Sequence, residues 1–221
     1  MKQLTEMRSF FNDLAPEYDK IIIDKSDADL EGKQLVASFI PEYAKSLIDF
    51  GIGTGLELEA IFAKFPNIEV TGLDISENML KLLRDKYIAQ NINLHCESYL
   101  DYDFGVKQYD VALSIKTLHH YDHNVKTALY KKIHACLNEG GVYIECDKMV
   151  LNQEEEDFHF AEYEQLKQKQ GIYDNQAYHY DTPCTLSNQK RMLLTAGFSN
   201  VKEVWRKESE RGLIVILVSE K

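Results

Sequence analysis

Three glycines at every second position stand between a strand-like run and a helix-like run, in Asp49-Phe50-Gly51-Ile52-Gly53-Thr54-Gly55. Glycine accepts positive φ and lets a ligand lie against bare backbone. Such a loop at the end of a first strand reads as a ligand cradle. Asp74 closes the next strand-like run, Thr71-Gly72-Leu73-Asp74, where a carboxylate can accept hydrogen bonds from both hydroxyls of a ribose. A second polar group follows in Leu118-His119-His120-Tyr121-Asp122-His123, with Asp147 further on. Histidine titrates near neutrality and can take a proton, so His119, His120 and Asp147 are the catalytic candidates. His119 and His123 have the i, i+4 spacing of helical metal ligands, but Tyr121-Asp122 is loop-like and no third ligand is evident. No metal is expected.

The glycine spacing narrows the ligand. A dinucleotide fingerprint, G-x-G-x-x-G, needs a third glycine at position 56, and that residue is Leu56. The cradle and Asp74 together indicate a nucleoside ligand without a pyrophosphate, which disfavours an NAD(P)-dependent oxidoreductase.

The elements that must position these groups alternate along the chain. Strand-like runs are read at 46–50, 68–73, 92–96, 109–114 and 142–146. Helical runs are read at 55–65, 76–90, 124–137 and 187–196. Ser76 can cap its helix, and Met79, Leu80, Leu83 and Tyr87 recur at helical spacing. Gly140-Gly141 is expected to end the helix before it. Strands at 201–207 and 213–219 follow with a connection too short for a parallel crossover. The reading is an α/β, doubly wound, seven-stranded and mostly parallel sheet with the last strand antiparallel. In such sheets the ligand lies beyond the carboxyl ends of the strands.

The chain has 221 residues with 25 basic and 36 acidic side chains, a net charge of −11. No basic stripe is visible, so no nucleic-acid partner is expected. The longest aliphatic run, Leu213–Val218, is six residues, far short of the ~20 that span a bilayer. The amino terminus MKQLTEMRSF has no apolar signal core, and a cytoplasmic protein without a membrane partner is the expectation. Cys96, Cys136, Cys146 and Cys184 form no CxxC pair and are expected to be free thiols.

Asp49-x-Gly51-x-Gly53-x-Gly55 followed by Asp74 resembles the class I S-adenosylmethionine-dependent methyltransferases. Leu118-His119-His120, Leu137-Asn138-Glu139-Gly140-Gly141-Val142, Ala196-Gly197-Phe198 and the segment from Asn12 to Asp19 are similar to motifs of the family's small-molecule subgroup. The resemblance implies the Rossmann-like fold of that family and S-adenosyl-L-methionine as cofactor. It implies that Gly51, Gly53, Thr54 and Gly55 meet the cofactor and that Asp49 orients the loop or reaches the methionine ammonium through water. Asp74 would take the ribose, Ile75 and Met79 would flank the adenine, and the carbonyl side of Ser114 would face the ammonium. Tyr18 would close over the cofactor. Ser98 stands where the family usually has an Asp for the adenine amine; Glu97 and Asp101 are nearby acids and Tyr99 can stack on the ring.

A single domain is expected: a helical lid at 1–45, a cofactor-binding core at 46–150, an insert at 151–185, and a closing helix and hairpin at 186–221. The insert holds eight acids against two lysines. It reads either as a solvated acidic helix from 152 to 169 or as an aromatic cap over an acceptor pocket. The resulting function is methyl transfer to a small-molecule N- or O-nucleophile, mainly by proximity and orientation, in a monomer or homodimer. The alternatives are a same-fold enzyme that uses S-adenosylmethionine without methylating and a non-catalytic cofactor-binding protein.

Overall fold

The computed structural model describes residues 3–221 except 26, 175, 210 and 211. Two helices open the chain, α1 (Met7–Lys25) and α2 (Asp27–Leu35). Alternation then follows: β1 (Ser46–Phe50), α3 (Leu58–Lys64), β2 (Glu69–Asp74), α4 (Glu77–Lys86), β3 (Ile92–Cys96), β4 (Tyr109–Ile115), α5 (His123–Cys136) and β5 (Leu137–Val150). After them come α6 (Gln153–Lys169), β6 (Cys184–Thr185), α7 (Leu186–Thr195), β7 (Ser199–Ser209) and β8 (Gly212–Glu220).

The sheet runs β3-β2-β1-β4-β5-β8-β7. The first five strands are parallel to their neighbours, and β8 lies antiparallel to both β5 and β7. The strand order reverses between β1 and β4, so their carboxyl ends open the crevice where a ligand fits. Buried apolar side chains cover both faces, one layer including Leu47, Ile61, Leu80 and Ile216, the other Ile48, Leu129, Tyr143 and Leu217. Consecutive residues on a strand point to opposite faces, which is why Leu47 and Ile48 feed different layers.

Two expectations are corrected. Gly140-Gly141 does not cap α5; the helix ends at Cys136 and both glycines lie within β5, with Gly140 at φ +76. The α5 carboxyl end passes straight into the strand, so no turn separates them. The sheet also gains an eighth member, β6, which pairs with the far end of β5. Two residues are too short to leave a periodic signal. Helix starts follow the caps: Ser76 Oγ accepts from Met79 N at 3.2 Å, and Asp122 Oδ1 accepts from the amides of Asn124 and Val125. Thr185 caps α7, its side chain accepting from Asn188 N. No helix among the described residues is long and apolar enough to cross a membrane.

Candidate active site

The cradle is pinned to the end of β2. The amides of Gly51 and Ile52 both donate to the Leu73 carbonyl, at 2.8 and 3.0 Å. Asp74 secures the turn from below: Oδ2 accepts from Gly53 N at 2.9 Å and Oδ1 from Ser76 N at 2.8 Å. A Cβ on Gly53 would meet nothing nearer than 4.0 Å, so its bare backbone faces open space. Gly51 serves close approach: at φ +72, a Cβ there would lie 2.3 Å from Thr117 Oγ1. Gly51→Ala is therefore expected to cost at least about 2 kcal/mol from left-handed backbone and overlap, seen as a lower Tm and lost cofactor binding.

A cleft opens over this loop, lined by Tyr18, Gly51, Gly53, Asp74, Ile75, Met79 and Tyr99 among others. These seven come from the sequence reading and converge from α1, the loop, the β2 end and α4. The structure adds Phe11 and Ile115, Lys116, Thr117, His120 and Tyr121. Tyr99 is anchored by its hydroxyl against Thr117 Oγ1 at 2.9 Å. Burial lifts the Asp74 carboxyl to about 6, against the pull of its amide donors.

Five expected residues stand back from the cavity. Asp49 is 1% exposed and its Oδ2 has no hydrogen-bond partner; burial and the nearby Glu57 carboxylate hold its pKa well above the usual range. Thr54 donates to Asp19 Oδ1 on α1. The Gly55 carbonyl accepts from Tyr87 Oη at 2.8 Å, and its missing side chain makes room for Leu58 and Leu83. Ser114 Oγ is occupied with Tyr143 Oη at 2.6 Å. Ser98 Oγ accepts from Leu100 N at 3.2 Å.

Helix α1 closes over the cradle and is latched at two places. Asn12 Oδ1 accepts from Ser76 Oγ at 2.8 Å, and the Asn12 carbonyl accepts from Asn78 Nδ2 at 3.1 Å. Asp19 pairs with Lys86. Asn12→Ala is expected to remove about 1 kcal/mol of latch and to speed cofactor dissociation about fivefold, measured by stopped-flow displacement.

A second cavity of about 540 Å³ shares Phe11, Tyr18, Lys116 and His120 with the first. Apolar residues of α1 form one wall, and His119, Lys148, His179 and Asp181 stand on another. The insert thus delivers His179 and Asp181 to this cavity, while its helix keeps Glu154 and Glu155 exposed. Asp147 lines neither cavity. It accepts from His119 Nδ1 at 2.5 Å and from the amides of Leu118 and His119 at 2.9 and 3.1 Å. Asp147 is thus a positioning residue behind His119. Burial opposes charge on His119, yet the Asp147 and Asp181 carboxylates more than offset it and raise its pKa. His120 donates from Nδ1 to the Tyr180 carbonyl at 3.0 Å. His123 points elsewhere, to Glu156 Oε1 at 2.7 Å, so the i, i+4 pair with His119 does not converge. Nothing local in the sequence marks Lys116, Thr117, His179 or Asp181, since chain crossings bring them in.

Comparison with known proteins agrees with this geometry. Residues 47–141 match the methyltransferase domain family. A carboxy-S-adenosyl-L-methionine synthase from Campylobacter fetus is 28% identical over 170 residues, covering 72% of each chain. A malonyl-[acyl-carrier protein] O-methyltransferase from Priestia megaterium is 29% identical over 135 residues, 60% of this chain and 48% of that protein. The crystal structure of 1,6-didemethyltoxoflavin-N1-methyltransferase from Burkholderia thailandensis, holding its substrate and S-adenosylhomocysteine, superposes with a TM-score of 0.67 at 16% identity, over 97% of this chain and 87% of that one. Residues 47–141 thus carry a methyltransferase domain, and these matches support a class I S-adenosylmethionine-dependent methyltransferase with S-adenosylmethionine as cofactor.

Proposed function

We propose that this protein transfers a methyl group to a small-molecule acceptor held in the second cavity. The observation that carries the reading is the pair of cavities with four shared lining residues, one over the glycine cradle and one between α1 and the insert. The residues present suit the cofactor: bare backbone at Gly53, a buried carboxylate at Asp74 for two ribose hydroxyls, and apolar Ile75 and Met79 beside them. S-adenosylmethionine, when bound, supplies an electrophilic methyl on a sulfonium. Phe11 and Tyr18 exclude water from the junction, and Lys116 and His120 border both partners. Holding the two reactants in line can supply about 7–11 kcal/mol of the barrier.

Residues 1–45 act in this reading as the lid and 151–185 as the cap. A recess of this size walled by α1 and the insert favours a small organic acceptor over a nucleic acid. A second reading has one specific support: the synthase relative named above matches 72% of the chain. In that reading the cofactor itself is modified. Mass spectrometry of the reaction with a panel of hydroxyl and amine acceptors, and in parallel with carboxylic acids able to donate a carboxyl group to the cofactor, separates the two. S-adenosylhomocysteine with a methylated acceptor supports methyl transfer, and a heavier cofactor with no S-adenosylhomocysteine overturns it.

A further inference from the structure

We infer that His119 Nε2, His120 Nδ1 and Asp181 Oδ1 form a divalent transition-metal site on the wall of the acceptor cavity. These three atoms lie within 4.8 Å of one another. Asp181 Oδ1 is 3.4 Å from His119 Nε2 and 3.6 Å from His120 Nδ1. Two ligands each about 2.1 Å from a tetrahedral ion stand about 3.4 Å apart, so the spacing is already that of a loaded site. All three residues face the cavity, which leaves the remaining coordination positions open to a substrate. Two imidazoles and one carboxylate with open positions suit zinc, iron or cobalt.

The surroundings point the same way. A metal-bound histidine commonly donates its other nitrogen to a carboxylate, which fixes the ring. His119 does this to Asp147 at 2.5 Å, and Asp147 is itself held by three backbone amides. The Tyr180 carbonyl, 3.0 Å from His120 Nδ1, is placed as a further oxygen donor once the ring proton has shifted to Nε2 and Nδ1 is free to bind the ion. Lys148 Nζ sits at 3.0 Å on the other oxygen of Asp181 and leaves Oδ1 to the site. Other charged groups facing the cavity are Lys116, Asp29 and His179. A dication beside the Asp147 and Asp181 carboxylates and the Lys148 ammonium leaves one surplus positive charge. An oxyanion acceptor such as an enolate, phenolate or hydroxy acid would balance it. This last step rests on the acceptor reading above; the metal site does not.

The second cluster with similar donors, His123, Glu156 and Cys184, is spoken for. Lys126 Nζ stands 3.3 Å from Cys184 Sγ, and both Glu156 oxygens accept hydrogen bonds from Thr185 and Asn188.

The test is a titration of the full chain, stripped with a chelator, with Co²⁺ followed by its visible absorption and then displaced by Zn²⁺. One ion per chain is expected. Affinity should fall more than about a hundredfold in His120→Gln and in Asp181→Asn, beyond what loss of an outer partner costs, and stay unchanged in Cys184→Ser. S-adenosylhomocysteine binding, measured by calorimetry on metal-free wild type and Asp181→Asn, should persist; its loss in both would count against the cofactor cavity and not against the metal. No stoichiometric Co²⁺ binding, binding that survives both ligand substitutions, or binding lost in Cys184→Ser each overturns the site.

Discussion

Asp74→Ala will weaken S-adenosylmethionine binding by about a hundredfold. The carboxylate accepts from the Gly53 and Ser76 amides and has lone pairs left for two ribose hydroxyls. Removing it leaves those hydroxyls without a charged acceptor and frees the loop. A loss of about 3 kcal/mol follows. The same group sets a pH dependence. Burial raises its pKa to about 6, and the ionised form is the acceptor. Affinity is therefore full above that value and falls as pH drops through it, by up to about tenfold per unit. Calorimetric titration across this range in wild type should show the step, and Asp74→Asn should lack it. A flat wild-type profile with unchanged Asp74→Ala affinity would remove Asp74 from the site.

Lys33→Met will lower the melting temperature by about 10 °C. Lys33 Nζ lies 3.0 Å from Glu57 Oε2 beneath the glycine loop, with side-chain exposures of 5% and 1%. Burial disfavours its charge, yet Glu57, Tyr18 and Asp49 more than offset this and raise its pKa. Glu57 Oε1 has no hydrogen-bond partner, so the lysine is the principal compensation for that carboxylate. Breaking a buried pair from one side costs about 3–5 kcal/mol because a bare charge remains. For a chain this size each kcal/mol is about 2–4 °C. Lys33→Met/Glu57→Met should regain most of the loss, since removing both charges also removes the penalty. A single variant as stable as wild type would mean that the pair is solvated.

The cradle and Asp74 were legible in the sequence because their chemistry is local. A glycine every second residue and an acid at the next strand end need no knowledge of the rest of the fold. The same holds for the cap at Ser76 and for the reversal of β8, which a short connection forces. What was hidden depends on which way a side chain turns or on what crosses it. The Ser114 hydroxyl turns to Tyr143, and Lys116 and Thr117 beyond the strand's end, unmarked in the sequence, line the cavity. Asp49 precedes the loop yet lies under it. Asp181 belongs to a segment whose composition suggested a solvated acidic helix or an aromatic cap, and its place beside His119 is set by the return of the chain from α6 to β6. The donors of the proposed metal site come together for the same reason: i, i+4 spacing sets His119 against His123, whereas the fold places His119 beside His120 and Asp181.

The central claim is that the cavity over the glycine cradle takes S-adenosylmethionine. It is tested most directly by thermal unfolding of wild type and Asp74→Ala with S-adenosylmethionine, S-adenosylhomocysteine, NADH and NADPH. A ligand at about 100 times its Kd adds about 2.7 kcal/mol, or about 5–10 °C here. The account predicts that rise for the two sulfur compounds in wild type, its loss in Asp74→Ala, and no response to the nicotinamides. A rise with NADH or NADPH alone would contradict it.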